Sequence, residues 1–241
     1  MTVKVSAEEL LKAGAHYGHQ VKHWNPKMEE YLYGQEEGVH VFDLIKTKAL
    51  LEEALEFIQT SVSEGKEILL LGTKKQVKEK IIEVGKETQV AYISERWLGG
   101  TFSNFEQIKR SIKKLSEMKE KNAQGEYKKF TKKERVLIQR EIERLERFFG
   151  GISNVKKIPD IIFIVDTHKE TAVVREALSL NVKIVGIVDS NSDPSVVDYP
   201  IPMNDDASKA LYYVLDLVKE AILEGKKKQI KSKAQKDGIK K

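Results

Sequence analysis

Three histidines stand close together near the N-terminus, at His16, His19 and His23. Imidazole nitrogens at such spacing can bind a metal ion, but the chain has no cysteine and no fourth ligand follows nearby. Lys22 and Trp24 stand among them, and cations beside aromatic rings suit contact with phosphates and stacking on bases or sugars. A glycine-rich loop that packs on the rest of the protein is a competing and compatible interpretation. We therefore predict no metal site here, and a surface that contacts phosphates.

Three polar stretches follow apolar runs further along the chain, at Gly72–Lys75, Asp166–Lys169 and Asp189–Asp193. Ligands bind at the carboxyl ends of strands in parallel sheets, so these stretches suggest an enzyme that binds a nucleotide or a sugar phosphate. However, neither G-x-G-x-x-G nor a P-loop is present, and the phosphate cradle would rest on one glycine and two lysines. No pair of nucleophile and base can be identified by spacing either, so we predict no catalytic residues.

Aspartates near the same strand ends could bind a hard cation such as Mg²⁺. The carboxylates that could supply oxygen ligands are those of Asp189, Asp193, Asp205 and Asp206. Asp and Asn are also the residues that turns and helix caps select on their own, and this structural interpretation is favoured. The sequence therefore predicts no cofactor, and leaves open whether a divalent cation lies near these four residues.

Alternating strand-like and helix-like segments must position these groups. Short runs typical of buried or extended strands stand at Ile68–Leu71, Val90–Ile93, Ile161–Val165, Lys183–Val188 and Tyr199–Pro202. Helical periodicity separates them, with predicted helix ends at Gly65 and Gly225. A β-hairpin is predicted earlier, from Tyr31–Gly34 and Val39–Phe42. The pattern predicts an α/β fold with a doubly wound, mostly parallel sheet that is Rossmann-like or flavodoxin-like.

Residues 104–149 form a heavily charged insertion between two of these strands. Each of its two predicted helices has one narrow apolar stripe, made of Phe105, Ile108, Ile112, Leu115 and Met118 in the first and of Ile138, Ile142, Leu145 and Phe149 in the second. Thr131 and Glu134 form a capping box at the start of the second helix, after a polar loop around Gly125. These seams predict an antiparallel coiled-coil hairpin that projects from the α/β body.

A glycine pair, Gly99 and Gly100, precedes this insertion. Paired glycines allow positive φ and close backbone approach, so we predict a structural turn at these two residues. The side chains of Ser103–Asn104 are suitable N-caps for the helix that follows. The flanking aromatic residues, Trp97 and Phe102, are interpreted as core anchors of the turn.

Length and composition limit the classes of protein that the chain can represent. With 241 residues, of which 33% are charged and 40% hydrophobic, it can bury a substantial core. The absence of cysteine excludes thiol catalysis, disulfides and thiolate metal sites. No apolar run approaches the roughly 18 residues of a membrane span, and the N-terminus has no signal-peptide core, so we expect a cytoplasmic protein.

The net charge of +5 is distributed unevenly. Residues 104–149 carry 14 Lys and Arg against eight Glu, and residues 226–241 carry eight Lys against one Asp, which leaves −8 for the rest of the chain. An acidic body with two basic segments predicts a polyanionic partner that those segments contact. The basic tail lacks apolar periodicity, so we predict that it is disordered until it binds.

Several stretches also form a recognisable pattern in chain order: Ala13–Gln20 with Trp24–Met28, Arg96–Thr101 with Asn104, Pro159–Asp166 with Lys169–Glu170, Ile187–Pro194, and Val197–Ala207. This pattern resembles the family of bacterial small-subunit ribosomal protein two, the S-two family. The resemblance covers nearly the whole chain, from Ala7 to about Gly225. Ser190 stands where the family commonly has Thr, and Met203 where it commonly has Gly.

The resemblance implies a non-enzymatic, structural component of the small ribosomal subunit that acts in translation. Members of the family have an α/β body and a protruding coiled-coil hairpin. They bind small-subunit rRNA and other small-subunit ribosomal proteins, and they help to recruit the large multi-domain protein one. We accordingly expect the body to comprise residues 1–103 and 150–225, the hairpin residues 104–149, and the basic tail residues 226–241.

The expected rRNA contacts include residues of the matched motifs. They also include cations of the hairpin, which are expected to bind rRNA only because of their charge. The expected contacts are His16, His19, Lys22, Trp24, Arg96, Lys109, Arg110, Lys113 and Lys114. The alternative that stays open is a Rossmann-like enzyme that binds a nucleotide or a sugar phosphate.

Overall fold

The structure, a computed structural model, describes the backbone of residues 4–238 and the side chains of residues 4–231. Its N-terminal part contains a short helix and three strands, α1 (Ala7–Lys12), β1 (Tyr17–Gln20), β2 (Leu32–Glu36) and β3 (Val39–Phe42). The strands form an antiparallel sheet in the order β1-β3-β2. The predicted hairpin of β2 and β3 is confirmed. β1 was not predicted, because its sequence does not alternate and its pairing with β3 is irregular.

A five-stranded sheet forms the centre of the protein. Its strands are β4 (Ile68–Leu71), β5 (Ala91–Ile93), β6 (Ile161–Ile164), β7 (Lys183–Val188) and β8 (Tyr199–Pro202). They lie in the order β5-β4-β6-β7-β8, and every neighbouring pair is parallel. This is the doubly wound order of flavodoxin-like sheets. The predicted α/β fold with a parallel sheet is confirmed.

Helices cover both faces of this sheet. They are α2 (Leu44–Ser63), α3 (Lys78–Thr88), α4 (Phe105–Ala123), α5 (Lys132–Phe149), α6 (Thr171–Ser179) and α7 (Ser208–Gly238). Side chains alternate along each strand, so Leu70 packs with α2, α3 and α7, whereas Leu71 packs with α5 and α6. Trp97 and Phe102 are buried in this second layer, which confirms that they are core anchors.

The insertion contains two helices, α4 and α5, which pack against each other and which we call the helical hairpin. The predicted capping box is confirmed, because Oε2 of Glu134 accepts a hydrogen bond from Thr131 N at 2.9 Å and Thr131 Oγ1 accepts one from Glu134 N at 3.4 Å. Gly125 turns the chain between the helices with φ of 76°. Coiled-coil packing, projection from the body and the domain boundaries given above stay predictions.

The N-cap predicted for α4 is wrong. Asn104 occupies the N-cap position, but its side chain accepts no hydrogen bond from the helix. The chain enters α4 through a preceding turn, in which Asn104 N donates to the carbonyl oxygen of Gly100 at 2.8 Å. Ser103 lies in the same turn, and its backbone N–H is bonded elsewhere, to the carboxylate of Glu176.

The last helix does not end at Gly225, where the sequence predicted its end. α7 continues to Gly238, so residues 226–238 are helical where a disordered tail was predicted, and residues 239–241 lie outside the described residues. Gly225 is instead a point of close approach to α2, because a Cβ there would lie 2.7 Å from the carbonyl oxygen of Gln59. Beyond it, Lys228 Nζ donates to Gln59 Oε1 at 2.9 Å.

Replacement of Gly225 tests this role. Helix propensity alone would make Gly225→Ala more stable by about 1 kcal/mol. We expect the reverse, a loss of about 1–2 kcal/mol in the free energy of unfolding, because the added methyl group displaces the backbone of α2. Urea denaturation measures this difference. Gly34→Ala is the matched control, since a Cβ at Gly34 meets no atom within 4 Å. A more stable Gly225→Ala protein would show that the two helices are not in tight contact.

Candidate functional site

The turn between β5 and α4 is held by a single carboxylate from α6. Glu176 Oε1 accepts hydrogen bonds from Gly100 N at 2.7 Å and from the indole Nε1 of Trp97 at 3.3 Å. Its Oε2 accepts from Phe102 N at 2.9 Å and from Ser103 N at 3.2 Å. Burial alone would raise the pKa of the Glu176 carboxyl, but these backbone donors hold it below its usual value. The turn therefore depends on an ionised glutamate that lies more than 70 residues away in the chain.

The two glycine positions of this turn differ in whether they could hold a residue with a side chain. Gly100 has φ of +90°, a conformation that residues with a side chain rarely adopt, and its Cβ would lie 3.3 Å from Cβ of Asn104. Gly99 has an ordinary φ, and a Cβ there would meet no atom within 4 Å. Beside them, the rings of Trp97 and Phe102 pack edge to face at 4.8 Å. Gly100 is thus the residue that needs to be glycine.

The N-terminal segment lies against the loop that follows β7. His19 N donates to Ser190 Oγ at 2.8 Å, and Asn25 N donates to the carbonyl oxygen of Ser190 at 2.7 Å. Gly18 permits this approach, since its Cβ would lie 2.9 Å from Ser190 Oγ. The ring of Trp24 packs at a tilt on the buried ring of His40, with centroids 4.9 Å apart. This segment is therefore fixed to the parallel sheet.

Two other predicted site residues in this segment differ in accessibility. Lys22 is exposed and forms no ion pair within the described residues. The ring of His16 packs on that of Tyr17 in a tilted arrangement with centroids 3.9 Å apart, and its Nδ1 is buried without a hydrogen-bond partner in the described part of the chain. A ligand of His16 must therefore approach the other edge of the ring.

At the carboxyl ends of the parallel strands, Lys74 is surrounded by aspartates. Its Nζ lies 3.1 Å from Asp166 Oδ2, 2.7 Å from Asp205 Oδ1 and 2.8 Å from Asp206 Oδ1. Burial by itself would lower the pKa of Lys74, but the hydrogen bonds to Asp205 and Asp206 and the charge of Asp166 raise it. The ammonium thus neutralises neighbouring carboxylates, and is not free to bind a phosphate.

Asp189 joins these residues, and we call Asp166, Asp189, Asp205 and Asp206 the aspartate cluster. Asp189 is fully buried and accepts a hydrogen bond from Asp205 N at 3.0 Å. Burial and the charges of Asp189 and Asp166 raise the pKa of the Asp205 carboxyl to about 7. A bound phosphate would add negative charge where carboxylates already outnumber cations, so the cluster disfavours the phosphate cradle considered from the sequence.

His19 adds a second cation to the aspartate cluster. Its Nδ1 lies 3.0 Å from Asp189 Oδ1, although not along a good hydrogen-bond direction, and its Nε2 lies 3.8 Å from Asp206 Oδ2. The contact with Asp189 raises the pKa of His19 to about 8, against the effect of burial. His19 therefore faces carboxylates.

The same residues include the one grouping with metal-binding spacing among the described residues. One ligand atom each from His19, Asp205 and Asp206 lies within 4.8 Å of the others, and a nitrogen with two carboxylate oxygens suits a divalent transition metal. Asp193 lies apart from this grouping, since its carboxylate binds Lys27 Nζ at 2.7 Å. Spacing along the chain did not predict that His19 meets Asp205 and Asp206.

The predicted cations of the helical hairpin fall into two groups. Lys109 pairs with Glu106 at 3.1 Å, Lys114 with Glu141 at 3.0 Å, and Lys113 lies 3.8 Å from Glu117. Arg110 forms no ion pair within the described residues, and neither does Arg96, which is exposed just before the turn. No described hydrogen bond or ion pair joins these residues to the N-terminal segment.

A comparison with protein families adds a finding to this geometry. The model of the family described as ribosomal protein S2 matches residues 10–225 of the 241 residues. The match includes the N-terminal segment, the turn held by Glu176, the helical hairpin and the aspartate cluster. Within the part of the chain that the structure describes, every helix is too short or too polar to cross a lipid bilayer.

The turn gives a first prediction at this site. In Glu176→Gln the side-chain NH₂ group faces backbone N–H donors and cannot accept from them, so we expect a loss of about 1–3 kcal/mol in the free energy of unfolding. Because the pKa of Glu176 is lowered by folding, the stabilisation is present above pH 4.5 and is lost as the pH falls through the folded pKa. Urea denaturation at neutral pH checks the variant against Glu53→Gln, an exposed glutamate without an ion pair in the described chain. Equal stability of both variants would contradict this role.

The aspartate cluster gives a second prediction. Folding raises the pKa of His19 from 6.5 to about 8, so its stabilisation is complete below pH 6.5 and is lost as the pH rises through 8. We expect His19→Gln to reduce the difference in unfolding free energy between about pH 6 and pH 8.5 by about 1 kcal/mol. Urea denaturation in the presence of EDTA measures it. Folding also raises the pKa of Asp205, to about 7, so its contribution to the unfolding free energy falls over the same pH range. This contribution is common to the wild type and to both histidine variants. His23→Gln should keep the wild-type difference, and an unchanged difference in His19→Gln would contradict the prediction.

Proposed function

The chain belongs to the ribosomal protein S2 family, and from this we propose that it binds small-subunit rRNA through exposed cations on either side of the turn held by Glu176. The family is one of structural ribosomal proteins, so the chain has a structural role in the small ribosomal subunit and is not an enzyme. The alternative of a nucleotide- or sugar-phosphate-binding enzyme is not supported.

One observation carries the proposal for rRNA binding. Arg96 precedes the turn, Arg110 follows it on α4, and both are exposed without a carboxylate partner among the described residues. Such guanidinium groups can bind phosphate oxygens without first giving up an ion pair. Because Glu176 fixes the turn between them, the two arginines are held in a defined relation that suits the shape of a folded RNA.

The paired lysines of the helical hairpin support a second set of contacts. Exposed ion pairs such as those of Lys109, Lys113 and Lys114 contribute about 0–1 kcal/mol each. A phosphate can therefore replace the glutamate partner at little cost, and the displaced carboxylate stays in solvent. We propose that these lysines strengthen binding through charge, while Arg96 and Arg110 set its geometry.

The N-terminal segment supports a further part of the same interface. Lys22 is exposed, and His16 and Trp24 of the same segment are partly exposed, which suits contacts with phosphates, sugars and bases. His19 was included with them from sequence, but it faces Asp189 and Asp206, so we propose that it positions the segment rather than contacts phosphates.

We also propose that the protein contacts other small-subunit ribosomal proteins and helps to recruit the large multi-domain protein one of that subunit. The support for this is the distribution of charge. Outside residues 104–149 and 226–241 the chain carries a net charge of −8, so away from the exposed cations Lys22 and Arg96 this part of the protein suits protein neighbours better than RNA.

Salt dependence of binding tests the rRNA proposal. Each phosphate contact adds about 0.7–0.9 to the slope of log K against log salt concentration. We expect Arg96→Gln with Arg110→Gln to lower that slope by about 1–2 and to weaken binding to small subunits depleted of this protein, because both arginines contact phosphates. Sedimentation with subunits over about 50–400 mM KCl measures the slope.

The control for this experiment removes one charge from the opposite layer of the body. Lys86 is exposed at the end of α3 and forms no ion pair in the described part of the chain. Lys86→Gln should bind with the wild-type slope. If the double arginine variant also kept the wild-type slope, neither arginine would contact phosphate, and the proposed placement of the RNA would be wrong.

A further inference from the structure

Helix α5 has a second apolar face that the helical hairpin does not bury. Its seam residues Ile142, Leu145 and Phe149 are at most 7% exposed. Val136 and Leu137 are 44% and 55% exposed. The helical repeat of 3.6 residues places Val136 nearly opposite that seam and Leu137 to one side of it. These two adjacent aliphatic side chains are not part of the buried core cluster that joins α4 to α5.

Cations surround this apolar pair. Lys133 lies one turn before it and Arg140 one turn after it, at spacings of three or four residues that place all four side chains on one face. Together with Lys132 they form one shallow, open patch on the surface of α5. We call these five residues, Lys132, Lys133, Val136, Leu137 and Arg140, the outer face of α5.

The charge of this end of the hairpin is not balanced by its own carboxylates. Residues 121–140 contain seven Lys and Arg and two Glu. Within the described residues none of those seven cations forms an ion pair, whereas Lys109, Lys113, Lys114, Lys119 and Arg144 nearer the body all do. One of the two glutamates, Glu134, is bonded to the backbone of Thr131 in the capping box. The outer face therefore offers uncompensated positive charge around an apolar centre.

We propose that the outer face of α5 binds an acidic amphipathic helix of a partner protein. The partner's apolar ridge would cover Val136 and Leu137, and its flanking carboxylates would pair with Lys132, Lys133 and Arg140. Contact between the outer faces of two copies of this chain is disfavoured, because two such basic faces would repel each other.

The side chains at the centre of this face favour a protein over RNA. Bases stack on aromatic rings, and Val136 and Leu137 provide no such plane. The nearest exposed aromatic ring, that of Phe130, packs on Tyr127 at 5.9 Å and is also approached by the ammonium of Lys129 at 6.0 Å. Aliphatic side chains gain most from burial against other apolar groups. This docking site goes beyond the rRNA contacts of Arg96 and Arg110 and does not depend on them.

The test uses the full chain and two fluorescent peptides of about 20 residues built from Leu, Ala and Glu. In one peptide the leucines follow the helical spacing of three and four, and in the other the same residues are scrambled. We expect fluorescence anisotropy to show binding of the amphipathic peptide at least tenfold tighter than binding of the scrambled peptide. Val136→Ser with Leu137→Ser should weaken the amphipathic peptide about tenfold and leave the scrambled peptide unchanged.

A matched control is Leu178→Ser, which removes an equally exposed leucine from α6 and should bind like the wild type. Equal affinity for both peptides would mean that binding depends on charge alone and not on the apolar ridge, and would overturn the proposal. A fluorescent 20-residue oligouridylate is the RNA probe. If the double serine variant lost affinity for oligouridylate but not for the amphipathic peptide, the face would bind RNA and the proposal would be wrong.

The result is independent of the proposed rRNA interface. The variant Arg96→Gln with Arg110→Gln should bind the amphipathic peptide as tightly as the wild type, because neither arginine belongs to the outer face. Loss of peptide binding in that variant would show that the peptide occupies the proposed rRNA surface instead, which would also overturn the docking site.

Discussion

The hydrogen bonds to the carboxylate of Glu176 determine where the helical hairpin begins. Three residues of the turn, Gly100, Phe102 and Ser103, direct their backbone N–H groups to this side chain. Buried backbone donors left without partners would each cost about 1–3 kcal/mol, so these hydrogen bonds favour the observed path of the chain from β5 to α4. The entry into α4 is therefore set by this contact together with the burial of Ile108 and Phe149 in the core layer that contains Trp97.

The sequence correctly predicted those structural elements that are determined by residues close together in the chain. The buried strand Ile68–Leu71 and the capping box at Thr131 depend on neighbouring residues alone, and both are present as predicted. Features that depend on distant residues were missed. Gly225 resembles a helix end in sequence, but its role is the contact with Gln59 on α2, and Asn104 lost its predicted cap because a turn precedes the helix there. Nothing near Glu176 in the sequence indicates that it binds the turn.

In the candidate site, too, the features set by the local sequence were predicted and those set by distant residues were not. Strand-end aspartates were expected at one edge of the sheet, because the carboxyl ends of parallel strands share an edge, and Asp166 and Asp189 do meet there through their contacts with Asp205. Composition predicted the net charge of the hairpin but could not show how that charge is paired. Lys114 and Arg110 are equivalent in sequence terms, yet one faces Glu141 and the other faces solvent. Such pairing depends on the packing of two helices, which a charge count does not include.

The aspartate cluster also explains how a flavodoxin-like sheet can serve as a scaffold. In this strand order a ligand binds in the crevice between two neighbouring strands, β4 and β6, which come first and third along the chain within this sheet. From this point successive strands are added on opposite sides of β4. Lys74 follows β4 and Asp166 follows β6, and their ion pair of 3.1 Å closes that crevice. To bind a phosphate there, the protein would have to withdraw Lys74 from Asp166, Asp205 and Asp206 and leave buried carboxylates without their cation, which costs several kcal/mol. The side chain of Lys74, which neutralises carboxylates in the crevice, thus gives this edge of the sheet a structural role in place of ligand binding. The surfaces that stay available for partners are the turn, the hairpin and the N-terminal segment.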